Sequence, residues 1–103
     1  MNFQDRVLEL CSLIPKGRVS TYKEISRALG GRGQVYRAVG RALHENPKPV
    51  TIPCHRVVKS DGSIGGFAGG IRRKIQLLKK EGIIVKKGKI ADFEKKLLRF
   101  SQS

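Results

Sequence analysis

Apolar residues Phe3, Val7, Leu10, Cys11 and Ile14 recur at the three-and-four spacing of one helix face, and Pro15-Lys16-Gly17 breaks the pattern. The chain therefore predicts a first amphipathic helix over residues 3–14, with Cys11 on its apolar face as a core thiol. A short extended stretch at Arg18-Val19-Ser20 leads into Thr21-Tyr22-Lys23-Glu24. This is a capping-box pattern, in which hydroxyl and carboxylate each satisfy an orphan backbone donor, and it opens a second helix over residues 22–29 that Gly30-Gly31 ends. Gly31-Arg32-Gly33 then leads into a third helix over residues 34–45, closed by Asn46-Pro47. Two short helices flanking a glycine-bearing turn make a helix-turn-helix candidate. On the second of the pair, Val35, Val39, Ala42 and Leu43 share one face, while Arg37, Arg41 and His44 share the opposite one beside Gly40. That basic face carries little bulk, which suits close approach to a nucleic-acid groove. Periodicity alone fits an ordinary surface helix as well.

Residues 46–70 are irregular. Pro47, Pro49 and Pro53 stiffen the approach to a short strand at Val57-Val58, and glycines at 62, 65, 66, 69 and 70 punctuate the stretch after that strand, as in a loop-built site on a rigid scaffold. A fourth helix spans residues 71–81, with Ile71, Ile75 and Leu78 expected inward and Gly82 as its stop. Ile83-Ile84-Val85 and Lys89-Ile90 flank Lys86-Lys87-Gly88 as a basic hairpin or wing, and a last helix over residues 92–100 is expected to be capped by Asp92. The whole reads as one mainly α domain with short strands, of winged helix-turn-helix type. A chain of 103 residues has room for a single modest core.

Charge adds information about partners. Lys and Arg number 22 against 8 Asp and Glu, a formal charge of +14 that favours polyanions, nucleic acid first. Residues 1–70 hold 11 basic and 5 acidic side chains and residues 71–103 hold 11 and 3, so the excess is not confined to a tail. The two cysteines, Cys11 and Cys54, lack any zinc-ligand spacing, so no metal is expected. Nothing in the sequence calls for a cofactor. No apolar run approaches the length of a membrane span, and residues 1–15 lack the apolar core of a signal peptide. The reading is cytoplasmic, with reduced thiols, DNA-associated, and nuclear in a eukaryote.

Chemistry concentrates at Ile52-Pro53-Cys54-His55-Arg56-Val57-Val58, where a thiol, an imidazole and a guanidinium follow a proline. A thiol reacts as thiolate, and a neighbouring base or cation supplies the environment that ionises it.

Six ordered landmarks carry a further resemblance. They are Ile14-Pro15-x-Gly17-x-Val19-x-Thr21-Tyr22; Arg37-Ala38-Val39-Gly40; Asn46-Pro47; the cysteine run; Gly66-Phe67-x-Gly69-Gly70; and Lys74-x-x-Leu77-Leu78-x-x-Glu81-Gly82. Over residues 14–82, about two thirds of the chain, the sequence closely resembles the DNA-binding, active-site domain of the O6-alkylguanine-DNA alkyltransferases. The resemblance implies a winged helix-turn-helix that enters the minor groove of double-stranded DNA and everts an O6-alkylguanine. The alkyl group then passes irreversibly to a cysteine, here Cys54.

By the same analogy Glu81 orients and polarises His55, which deprotonates Cys54 through a water. Tyr22 donates to the guanine ring and crowds the everted nucleotide's phosphate, and Asn46 ties the turn beneath the cysteine loop. Arg37 is the finger that fills the gap in the base stack. Arg41, Arg56 and Gly40 join it at the DNA surface. The pocket is formed by Val57, Phe67, Ala68 and Lys74, with backbone groups around Cys54, Val57 and Ala68 reading the guanine edge. His44 has no implied role and reads equally as a phosphate contact or a solvated side chain.

Two departures stand out. Phe67 replaces a frequent tyrosine and Ala68 a frequent serine, which removes side-chain hydroxyls from the pocket. The separate N-terminal domain of most alkyltransferases is also absent, so the chain is expected to be a natural single-domain member, acting as a monomer, or a fragment. Its basic extension over residues 83–103 then either contacts DNA or covers surface that the absent domain would bury. Two rival functions remain: a non-catalytic alkyltransferase-like lesion sensor, which typically carries tryptophan or alanine at the cysteine position, and a plain winged-helix regulator in which Cys54 is incidental.

Overall fold

A computed structural model describes residues 2–30, 35–48, 50–67 and 69–100. Helix α1 is Phe3–Ser12, and its first turn is closed by the Asn2 side chain, which accepts from the Asp5 amide. Val7, Leu8, Cys11 and, beyond the helix end, Ile14 are buried, whereas Phe3, expected on the inner face, is 39% exposed in the first turn. After Pro15 the chain extends into β1, Ser20–Thr21, which pairs in parallel with β2, Val57–Val58, in the register Ser20↔Val57 and Thr21↔Val58.

Helix α2, Tyr22–Ala28, starts directly from β1, with the Thr21 hydroxyl accepting from the Glu24 amide. The reciprocal half of the expected capping box does not form. The Glu24 carboxylate instead accepts from Arg27 and from the Phe100 amide. Helix α3, Val35–His44, packs against α1 and α2 through Val39, Ala42 and Leu43, and leaves Arg37, Arg41 and His44 exposed as expected. The Gly31-Arg32-Gly33 turn and the expected helix start at Gln34 lie outside the described residues.

A second apolar cluster of Val19, Val58, Ile64, Leu78, Ile83 and Ile90 sits under α4, Ile71–Lys80, and the basic hairpin of β3, Val85–Lys86, and β4, Lys89–Ile90. Here two expectations fail. The buried face of α4 is Lys74, Leu77 and Leu78, while Ile71, at the first turn, is 51% exposed. The final helix, α5, is the single turn Phe93–Lys96; Asp92 takes a left-handed conformation at φ 56° and its side chain makes no capping bond.

The reason lies in the free edge of β1. Leu97 bridges Val19 in parallel, the Val19 amide donates to Lys96 O at 2.9 Å, the Leu98 amide to Val19 O at 2.7 Å, and the Ser20 hydroxyl to Leu98 O at 2.9 Å. Arg18 fastens the carbonyls of Lys96 and Leu97. Pairing an otherwise unsatisfied strand edge outweighs the good helix propensity of Lys95-Lys96-Leu97-Leu98-Arg99. Phe100 completes the first core.

Candidate active site

The β1–β2 ladder brings the two halves of the site together. Tyr22 follows β1 directly and the 3₁₀ turn Cys54–Arg56 precedes β2 directly; parallel pairing puts them at opposite ends of a ladder only two residues long, and both side chains line one cavity beside it. Asn46 fastens the loop leading there: its Nδ2 donates to Ile52 O at 2.9 Å and its Oδ1 accepts from the Lys48 amide at 2.8 Å. This clamp holds Val50 at φ 74°, a left-handed conformation costly for a β-branched residue.

Cys54 lines a cavity of about 110 Å³ with Tyr22, Gly40, Leu43, His44, Gly66 and Phe67. That volume suits one flat ring rather than a larger ligand, since drug-sized sites run to roughly 300–1,000 Å³. Tyr22 closes over Gly65, whose φ is +70°. An added Cβ there would lie 3.1 Å from the tyrosine hydroxyl, so glycine serves both the turn and the close approach.

Behind the thiol, His55 is wholly buried, and its Nε2 lies 3.1 Å from Glu81 Oε2. Arg56 grips the same carboxylate with Nε to Oε1 at 2.9 Å and Nη2 to Oε2 at 2.6 Å, and donates through Nη1 to Ile14 O at 2.6 Å. A carboxylate at the C-terminal cap of α4 opposes the helix dipole, so this guanidinium is what makes the position tenable. Burial alone would raise the Glu81 carboxyl, but the hydrogen bonds and charges of Arg56 and His55 prevail and hold it below the usual carboxylate range. For His55, burial prevails over the bond and charge of Glu81 and lowers the imidazole below its ordinary value.

The site therefore holds an ionised carboxylate beside a neutral ring. An ionised carboxylate only accepts, so Nε2 carries the proton and Nδ1 keeps its lone pair. Nδ1 is buried with no protein partner among the described residues, which leaves a base free to act. Phe67 meets the ring edge-on at a centroid separation of 6.4 Å.

Lys74 is fully buried and ties the two walls of the site, Nζ donating to Val57 O at 2.7 Å and Gly66 O at 2.9 Å. Burial lowers its ammonium to about 8. Cys11 itself is pushed up to about 12, chiefly by burial, and stays a protonated core thiol.

The structure thus joins Tyr22, Cys54 and Phe67 at one cavity, sets His55 and Glu81 behind it, and makes Asn46 and Lys74 its struts. Arg37 and Arg41 remain on the outer face of α3. Gly40 touches the cavity and offers open space where a side chain would stand. Val57 is buried in the core, its carbonyl taken by Lys74. Ala68 lies outside the described residues.

Arg56 requires correction. Expected at the DNA surface, it is buried and committed to Glu81 and Ile14, because a nearby carboxylate offers it a bidentate partner that water does not. His44, to which the sequence motifs give no role, lines the cysteine cavity. It stands one helical turn after Gly40, a spacing from which the shared face is readable. Among the described residues no three His, Cys, Asp or Glu side chains gather as metal ligands, and no helix is long and apolar enough to cross a membrane.

Fold and site together define a mainly helical domain with short strands, a basic outer face on α3 and a pocketed cysteine. The family described as "6-O-methylguanine DNA methyltransferase, DNA binding domain" matches residues 2–83, and the chain belongs to that family. The methylated-DNA–protein-cysteine methyltransferase of Methanothermobacter thermautotrophicus is 46% identical over 81 residues, covering 79% of this chain and 44% of the relative. The Pyrobaculum aerophilum protein of the same name is 49% identical over 71 residues, 69% of this chain and 46% of that one. The chain thus spans about half the length of these curated relatives.

Among solved structures, Mycobacterium tuberculosis OGT in complex with DNA matches at TM-score 0.74 and 42% identity, covering 79% of this chain and 50% of that one. Schizosaccharomyces pombe Atl1, in complex with damaged DNA containing O6-carboxymethylguanine, matches at TM-score 0.82 and 30% identity over 95% of each chain. The expected fold is borne out by these likenesses.

Proposed function

We propose that this chain repairs DNA directly, moving the alkyl group of O6-alkylguanine to Cys54 in a single irreversible turnover. The observation that carries the reading is the Glu81–His55 pair, its imidazole buried with Nδ1 left free among the described residues, beside a cavity-lining thiol. His55 Nδ1 takes the Cys54 proton through a water, and the thiolate attacks the alkyl carbon. The carbon–oxygen bond breaks as the carbon–sulfur bond forms. Tyr22 offers the departing guanine anion a hydrogen bond as charge develops, the anion takes a ring proton from solvent, and the proton held on His55 returns to solvent, so the thiol's proton in effect passes to the guanine. The thioether product is stable, so each molecule acts once. The reaction as written needs no cofactor.

The duplex is engaged through the outer face of α3, with Arg37 entering the base stack as the guanine everts and Arg41 and Gly40 beside it. The protein acts as a monomer on DNA within the cytoplasm or nucleoid.

The test is incubation with an oligonucleotide bearing O6-methylguanine, followed by mass spectrometry of the protein. One methyl on Cys54, and none on Cys54→Ala, is the expected result; an unmodified wild-type protein would refute the nucleophile assignment. A second reading, a lesion sensor without transfer, is favoured by the mutual 95% coverage with S. pombe Atl1. Tight, selective binding of the methylated oligonucleotide with no methyl transferred would establish it. The cysteine at position 54 speaks for transfer, because a sensor has no use for a thiol with a base behind it.

A further inference from the structure

Beside the cysteine cavity lies a larger groove, of about 770 Å³, between α2, α3 and the loop at residues 59–61. Tyr22 and Gly40 line both hollows, so the groove adjoins the thiol's cavity. Its walls include a second aromatic ring, Tyr36, 44% exposed at the start of α3, and the exposed cations Lys23 and Lys59, with Asp61 as the acid among the described lining residues. Asp61 is partly occupied, its Oδ1 accepting from the Ser63 amide. Tyr36 lies outside every motif that placed the other site residues, and it stands next to Arg37 in the chain. Two rings, a bare helix backbone and cations beside a base-sized cavity are the parts from which nucleic-acid strands are gripped, phosphates by charge and bases by stacking.

We infer that this groove seats the lesion-bearing strand, and that Tyr36 packs its ring against the nucleotide next to the everted one. Tyr36 is thereby a DNA-positioning residue that deepens the proposed function and rests on it. The ring packs on the neighbouring nucleotide while Arg37 occupies the gap in the stack, and its contribution is apolar contact rather than charge. The tyrosine oxygen is not required for it.

The experiment compares wild type with Tyr36→Ala and Tyr36→Phe, each in the Cys54→Ala background, by fluorescence anisotropy on a duplex containing one O6-methylguanine over a range of salt concentrations. Tyr36 is surface-exposed, and thermal melts confirm that each variant folds. Stacking lost on alanine substitution should weaken binding about tenfold or more. The slope of log affinity against log salt should stay at the wild-type value, because no cation is lost. Tyr36→Phe should bind within twofold of the Cys54→Ala parent.

Tyr36→Ala binding like its parent overturns the inference. So does Tyr36→Phe losing as much as Tyr36→Ala, which would make the hydroxyl the contact, or a changed salt slope, which would make the loss electrostatic. Failure of the proposed function is separate: the methyl-transfer assay on Cys54 reports that, whatever the affinities at position 36.

Discussion

Replacing Glu81 by glutamine keeps the shape of the side chain and removes its charge, which separates what the carboxylate does for the fold from what it does for His55. Glu81 accepts three charge-assisted hydrogen bonds, from Arg56 at 2.6 and 2.9 Å and from His55 at 3.1 Å. Each such bond is worth about 1.5–3 kcal/mol in isolation, but they act as a unit. Removing one member of a buried pair costs about 3–5 kcal/mol. Both side chains here retain 11% exposure, which moderates that penalty. We predict a loss of about 3 kcal/mol for Glu81→Ala and about 2 kcal/mol for Glu81→Gln by urea unfolding. A domain with the usual 5–15 kcal/mol stays folded through either change.

Rate should fall further than stability explains. A positioned base contributes about 10²–10⁴-fold, so methyl transfer by Glu81→Gln, corrected for folded fraction, should slow about 100-fold. The pH profile supplies a second readout. The Glu81 bond and charge raise His55 against the downward pull of burial. Without them the imidazole titrates lower still, and the acid limb of the rate profile should move to lower pH. Methyl transfer by Glu81→Gln within threefold of wild type, or an acid limb that moves upward, would refute this role for the carboxylate.

Arg37→Ala is expected to slow transfer from duplex DNA at least tenfold while affecting the free alkylated base much less, because the finger is needed only where a base must leave the stack; equal slowing in both would remove that role. Val50→Gly should raise stability by about 0.5–1 kcal/mol in urea melts, as release of left-handed strain of about 1–3 kcal/mol exceeds the added chain entropy of glycine; a destabilised variant would show that the φ of 74° is not strained in this loop. The ammonium of Lys74, lowered from 10.5 to about 8, binds fewer protons folded than unfolded between those values, so stability should climb from pH 8 toward 9. Above 9 the raised thiol of Cys11 acts in the opposite sense and flattens the climb. Lys74→Met should abolish the climb, and an unchanged slope in that variant would assign it elsewhere.

How much of this is legible in the sequence depends on the range of the interaction. Helices α1 to α4 announce themselves because their signals are local: a three-and-four apolar spacing, a threonine cap, a proline or glycine stop. The β2 strand is readable from Val57-Val58, yet its partner is not, since a two-residue parallel pairing across 37 positions leaves no mark on either segment. The tail misleads for the same reason. Its apolar spacing at Phe93 and Leu97 fits a helix, and only the unsatisfied edge of β1, nearly eighty residues earlier, explains why Leu97 is extended. At the site, the identity of Cys54, His55 and Glu81 comes from ordered motifs, whereas the place of Arg56 does not. A guanidinium next to a catalytic-looking pair reads as a surface cation until its partner's position is known.

That partner settles how the site is built. Glu81 stands at a helix terminus that repels its charge, and is retained there only because Arg56 neutralises it while also holding Ile14 O. Three segments distant in sequence, the end of α1, the cysteine turn and the end of α4, thus meet at one guanidinium. The arginine consequently does its work for the thiol at second hand, by fixing the charge state of the carboxylate that fixes the tautomer of His55. An Arg56→Lys exchange makes this testable, since a lysine keeps the charge but cannot span both carboxylate oxygens and the Ile14 carbonyl at once. It should cost about 2 kcal/mol in stability and reproduce most of the rate loss of Glu81→Gln while leaving the salt slope of DNA binding unchanged; a fall in that slope would return Arg56 to the DNA surface.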